Sequence, residues 1–226
     1  RIEMKKIIFA MMLIFPMMGM AQNTWEVPQN KDKQTKTETT ERTSLFEKTT
    51  KVIDAKYLAG AVPVVNGNVV FTLDKDVPGM TADQIYDKVR DVLAEVVAEP
   101  NQVKEMSKVA VDDKASHIVG ARLSEWLVFR KSALSLDQTL FNYQLIAKVS
   151  DGHLHLTMER MGYLYEMDRT DTKGMETKAE EWITDEWALN KKGNKLSKYS
   201  GKFRCKTIDR KDNIFGRVCK ALGVNY

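Results

Sequence analysis

Residues Phe141 to Glu159 read FNYQLIAKVSDGHLHLTME. Apolar side chains fall at Phe141, Tyr143, Leu145, Ala147 and Val149, then at Leu154, Leu156 and Met158. Successive strand side chains point to opposite faces, so this spacing predicts two strands with one covered face each. Ser150-Asp151-Gly152 supplies the turn between them. The stretch therefore predicts a hairpin, Leu140 to Val149 against His153 to Tyr165. It also sorts the side chains: Asn142, Gln144, Lys148, His153, His155, Thr157 and Glu159 share the opposite, polar face.

The same alternation extends outward. Ile118 to Phe129 reads as a strand with Val119, Ala121, Leu123, Leu127 and Phe129 inward, and Arg122, Ser124 and Trp126 outward. Lys108 to Val111 is a shorter strand, and NGNVVFTL (Asn66 to Leu73) places one more after an Asn-Gly turn. PGMTADQIYDKVRDVLAEVVAEP, beginning at Pro78, changes period. Thr81 and Gln84 form a capping box, Ile85, Val89, Val92, Leu93 and Val96 follow at helical spacing, and Pro100 lies beyond the end. A Trp-rich segment from Met175 to Leu189, with Ala179, Trp182, Ile183 and Glu186 on one stripe, predicts a further helix. The order is β-α-β-β-β-β-α, an α+β fold with a single antiparallel-rich sheet, helices on one face and a C-terminal helix.

At the N-terminus, Met4-Lys5-Lys6 precedes the apolar run Ile7 to Met18 and the small residues Gly19 to Ala21. That is the pattern of a secretory signal peptide with cleavage near Ala21, and the run is too short to span a bilayer. The expected organisation is signal peptide 1–21, disordered linker 22–44, α+β domain 45–190 and basic C-terminal helical tail 191–226. The linker assignment rests on NKDKQTKTETTERT (Asn30 to Thr43), which has no large apolar residue. Losing the leader lowers the formal net charge from +4 to +2, so overall charge selects no partner. Its distribution is uneven: Lys191 to Lys220 holds eleven basic residues against Asp209 and Asp212. Lys191, Lys192, Lys195, Lys198, Lys202 and Arg204 are therefore candidates for contact with an acidic polymer or an envelope protein, beside the simpler reading of a solvated face.

His153 and His155 raise the question of a metal. The pair places two imidazoles on one side of a strand, but a catalytic zinc takes three protein ligands and a structural zinc four, and Glu159 is the one carboxylate on that strand face. No metal or cofactor is expected. Ser124 and Ser135 lack an adjacent base, Asp112-Asp113 reads as a turn, and no phosphate loop or nucleotide fingerprint is present, so no catalytic constellation is visible. The outward face with Arg122, Trp126, Gln144, His153 and His155 is instead a candidate recognition surface. Cys205 and Cys219 share a helical stripe with Ile208, Phe215 and Leu222. Fourteen residues of helix separate them by about 21 Å, beyond disulfide reach, which predicts unpaired, buried thiols.

Three segments, NVVFTLDKDVPGMTADQIYDKV from Asn68, FNYQLIAKVSDGHLHLTME from Phe141 and KLSKYSGKFRCKTID from Lys195, resemble a family of secreted bacterial domains of unknown function with a TATA-box-binding-protein-like (TBP-like) fold. The resemblance covers about Asn68 to Ile208. It implies the sheet-and-helix order read above, as one half of a TBP saddle, and no activity. DNA binding does not carry over, because that saddle is built from two tandem repeats and this chain has one. Fold alone gives no function. Sequence thus points to an exported envelope binding module without transmembrane segment or nucleic-acid partner. The alternative is a metal-dependent hydrolase built on His153 and His155.

Overall fold

The computed structural model describes residues 53–132, 135–166 and 174–226. The expected leader, the linker and the first residues of the domain lie outside the described residues.

The described chain opens with a 3-10 turn, Ala55–Tyr57, and a small hairpin of β1 (Val64–Val65) and β2 (Asn68–Val69). Asn66 and Gly67 join them with φ of 50° and 80°, the left-handed pair that a two-residue hairpin turn requires. Then follow β3 (Phe71–Asp76), α1 (Ala82–Val97), β4 (Lys108–Asp113), β5 (Ile118–Lys131), β6 (Leu136–Ser150), β7 (His153–Tyr165), β8 (Met175–Lys178), α2 (Asp185–Ala188) and α3 (Gly201–Leu222). Among the described residues the main sheet has six strands in the order β3-β7-β6-β5-β4, and β8 pairs with the far end of β7. All of these pairings are antiparallel.

The hairpin sits where alternation placed it, with Ser150 opposite His153 and Val149 opposite Leu154. Phe141, Tyr143, Leu145 and Ala147 of β6 and Leu154, Leu156 and Met158 of β7 are buried, as are Val119, Ala121, Leu123 and Leu127 of β5. Phe129, also expected inside, is half-buried at the end of that row. α1 starts with the predicted capping box, Thr81 Oγ1 accepting from the Gln84 N–H at 3.3 Å and Gln84 Oε1 from the Thr81 N–H at 3.0 Å. Ile85, Tyr86, Val89, Val92, Leu93 and Val96 carry its buried stripe to the sheet. α3 lies beside it, with Phe203, Ile208, Ile214, Phe215, Val218, Cys219 and Leu222 in the same core. Both long helices thus cover one face of the sheet.

Three expectations are corrected. Met175 to Leu189 is not a helix: it is β8, a 3-10 turn (Ala179–Glu181) and the single-turn α2. The β7 edge decides this, because Met175 to Lys178 satisfies its backbone against Gly162 to Tyr165. Residues 191–226 are not a separate tail. Lys191, Lys192 and Lys195 lie in a tight loop closed by a Leu189–Leu196 bridge, and α3 completes the hydrophobic core. Finally, the cysteines are free within one continuous helix, but only Cys219 is buried; Cys205 is half-buried, and desolvation pushes its thiol up to about 11.

Candidate functional site

The outer face of the sheet is assembled strand by strand. Lys108 of β4 stands opposite Arg122 of β5, Arg122 opposite Gln144 of β6, and Gln144 opposite Glu159 of β7. Beside this row Gly120 leaves the surface bare, and Lys108, Val111, Gly120, Arg122, Gln144 and Ile146 line a shallow depression of about 300 Å³. A Cβ on Gly120 would meet the Leu145 carbonyl oxygen at 3.4 Å and the Val111 Cβ at 3.5 Å, so any side chain there would project into the depression. Like charges directly opposite each other repel, by roughly 0.2–1 kcal/mol in such pairs. Among the described residues neither Lys108 nor Arg122 has a carboxylate within ion-pair distance.

The two histidines stand elsewhere on this face, about 13 Å (His155) and about 20 Å (His153) along β6 from Gln144. His155 is opposite both Lys148 and Asp74, and His153 is opposite Ser150 and Asp76. His155 Nδ1 lies 2.9 Å from Asp74 Oδ2, His153 Nε2 lies 3.2 Å from Asp74 Oδ1, and His153 Nδ1 lies 3.1 Å from Asp76 Oδ1. The hydrogen bond from His155 holds the Asp74 carboxyl below its usual range. Sequence reasoning missed these aspartates, although L-D-K-D in β3 has the same one-residue spacing as H-L-H in β7. Among the described residues no group of three or more His, Cys, Asp or Glu side chains is placed to hold a metal ion.

The opposite end of the face is partly closed. Beyond β4, segment 101–107 runs along β5: the Val103 N–H donates to the Ser124 carbonyl at 2.8 Å and the Trp126 N–H to the Asn101 carbonyl at 3.0 Å. Ser124, expected outside and open, is buried with its N–H on Ser107 Oγ at 2.9 Å, and Trp126 is half-buried. Asp112 and Asp113 end β4 rather than forming a free turn, and Asp112 accepts from the Tyr86 hydroxyl and from Arg90 Nε at 2.9 Å. His117, just before β5, has Nε2 2.8 Å from Asp83 of α1.

The basic candidates divide in the same way. Lys191, Lys192, Lys195 and Lys198 are exposed, and Lys202 is half-buried against Asp137 at 2.8 Å. Arg204 leaves the surface altogether. At 0% exposure it donates to the carbonyls of Tyr57, Leu58 and Ile183 and to Asp185 Oδ1, all within 2.7 Å. It clamps the start of the described domain and the α2 region onto α3, so it is withdrawn as a contact residue. A second buried arginine, Arg210, donates to Glu125 at 2.8 and 2.7 Å and to Glu99 at 2.6 Å. Glu125 occupies an inward position of β5 that the apolar pattern passed over. Asn101, Gln102 and Tyr143 also donate to it, while burial lifts its carboxyl above the ordinary range against the pull of Arg210. This network ties α3 to β5 and the end of α1. No helix of the described residues is long and apolar enough to cross a membrane.

The strand order and the placement of the helices permit comparison with known folds. Residues 71–164 match the domain of unknown function (DUF4468) with TBP-like fold. A crystal structure of a DUF4468 family protein from Bacteroides ovatus is 38% identical; the match covers 76% of this chain and 96% of that one with a TM-score of 0.69. A TBP-like protein from Parabacteroides distasonis is 20% identical over 72% of this chain and 97% of that one, with a TM-score of 0.58, a likeness of fold. No curated protein matches. The chain belongs to the DUF4468 family and has its TBP-like fold, a large antiparallel sheet backed by helices.

Proposed function

We propose that this protein is an exported interaction module of the cell envelope, presenting the outer face of its sheet to an acidic partner, an envelope protein or an anionic polymer. The observation that carries the reading is the Lys108–Arg122 pair, two cations in cross-strand register with no carboxylate partner among the described residues, set around a depression that also offers the Gln144 amide. Repulsion within the pair is relieved when an anion sits between them, so binding recovers free energy that the unbound surface forgoes. Export is supported by the leader pattern of residues 4–21. The loop lysines Lys191, Lys192 and Lys195 add positive charge elsewhere and are not needed for this contact.

A photo-crosslinking amino acid placed at Gln144, with a second version at the exposed helix position Lys88, tests the surface in intact cells. Crosslinks to one species from position 144 and none from 88, lost in Arg122→Ala, support the reading. Equal labelling from both positions removes it. Export is tested separately by sequencing the N-terminus of the envelope fraction, where a chain beginning near Gln22 is expected and an intact leader in the cytosol is the contrary result.

A further inference from the structure

On the other side of the molecule, where the far end of β7 and β8 meet the first turn of α3, lies a larger cavity of about 500 Å³. Its walls are rings and a thioether: Tyr165, Trp182, Phe203, Met175 and, at the mouth, Tyr199, which is 69% exposed. Trp182 and Tyr165 each stand edge-on to Phe203, at 5.8 and 5.4 Å between centroids, so the aromatic wall is continuous and fixed. The polar groups converge on one side. Lys202 Nζ bonds both oxygens of Asp137 at 2.8 Å and the Tyr165 hydroxyl at 3.0 Å, and it sits 4.5 Å from the Phe129 ring centroid and 4.4 Å from that of Tyr165. Among the described residues the lining carries two carboxylates, Asp137 and Glu166, and two ammonium groups, Lys198 and Lys202.

From this lining we infer a saccharide-binding site. The volume lies within the range of small-molecule sites, about 300–1,000 Å³, and apolar walls with a few convergent polar groups are their usual make-up. A lining with equal numbers of formal charges gives no net attraction to an anion or a cation. It does supply charged donors and acceptors side by side, the strongest hydrogen-bonding partners for neutral hydroxyl groups. A pyranose ring has that complementary form: its C–H face lies on an aromatic ring, as Tyr199 and Trp182 offer, and its hydroxyl edge meets Asp137 and the Lys198 ammonium, because Asp137 and Tyr165 already take the three N–H groups of Lys202. Aromatic surfaces with fixed orientation lose little conformational freedom on binding. Lys202 is rigid for the same reason, held by Asp137 and three rings before any ligand arrives. This site is separate from the outer sheet face and does not depend on the function proposed for it.

The test is a titration of the full chain, followed by amide chemical shifts and tryptophan fluorescence, with methyl glucopyranosides, methyl galactopyranosides, N-acetylglucosamine and their β-linked disaccharides, and with benzoate as a charged aromatic control. Saturable shifts at Tyr199, Lys202 and Met175 are expected for at least one saccharide, with an affinity unchanged between about 0.05 and 0.5 M salt, because a neutral ligand is not screened. Tyr199→Ala and Asp137→Asn should each weaken that binding at least tenfold; Tyr199→Ala, at an exposed position, should leave thermal unfolding unaltered. Benzoate binding with no response to any saccharide, a saccharide response mapping elsewhere, or binding indifferent to Tyr199→Ala overturns the inference.

Discussion

Two arginines show how far a side chain's surroundings outweigh its type. Arg204 and Arg210 are fully buried, and each ends in carbonyl or carboxylate oxygens rather than water. Breaking a buried ion pair from one side leaves the other charge stranded, at about 3–5 kcal/mol, whereas replacing both partners by packed apolar groups is often neutral or stabilising. Arg210→Met is therefore expected to destabilise by about 3–5 kcal/mol in chemical denaturation. The double variant Arg210→Met with Glu125→Leu should recover part of that loss, and additive losses would show that Glu99 and Tyr143 dominate the network instead. At the surface, the Asp74 carboxyl is depressed by its His155 hydrogen bond. A depressed carboxyl stabilises the fold above its unfolded pKa, and the contribution fades as pH falls through the folded value. NMR titration should find Asp74 protonating at lower pH in the wild type than in His155→Ala; identical titrations would remove the bond. On the outer face, Arg122→Ala should not lower the melting temperature, since exposed substitutions cost little and the repulsion with Lys108 is relieved.

At the level of elements, the thiols of α3 distinguish a continuous helix from a folded-back one. Two free thiols are expected in the unreduced, denatured chain, and slow labelling of native Cys205 near neutral pH, rising as the pH approaches its raised value of about 11. No free thiol in a monomer would contradict the helix. Thr81→Ala should cost about 1 kcal/mol through the lost cap on α1. What the sequence revealed of these elements follows the range of the interactions that shape them. The β6–β7 hairpin and α1 were legible because alternation and capping are local, decided within a few residues. Met175 to Leu189 was misread because its helical spacing competes with pairing to the β7 edge at Gly162 to Tyr165, and no local signal announces that partner. The candidate site was partly legible for the same reason: parity put Arg122 and Gln144 on one face, but their neighbour Lys108, the bare Gly120 and the aspartates facing His153 and His155 belong to pairings that only the assembled sheet brings together. Arg204 was misplaced because its charge argues for the surface, and only its carbonyl partners explain its burial.

Across the whole molecule, one core is shared by the sheet, by α1 inserted between β3 and β4, and by α3 after the last strand. A chain starting near Ser44 should melt with one starting at Gln22, because residues 22–43 offer little apolar surface; a fall of many degrees would assign that segment a structural part. A chain ending at Asp209 should instead fail to give a cooperative transition, since it loses Arg210 and the buried Ile214, Phe215, Val218, Cys219 and Leu222. The clamp made by Arg204 adds a constraint in time. Tyr57 and Leu58 are among the first described residues to leave the ribosome, and the guanidinium that fastens them follows almost 150 positions later. Until α3 has been synthesised the sheet's inner face is covered by α1 alone, and closing so long a separation is slow compared with making a hairpin. Closure of the domain is thus a late event, in which the first described turn is locked only once α3 has been made.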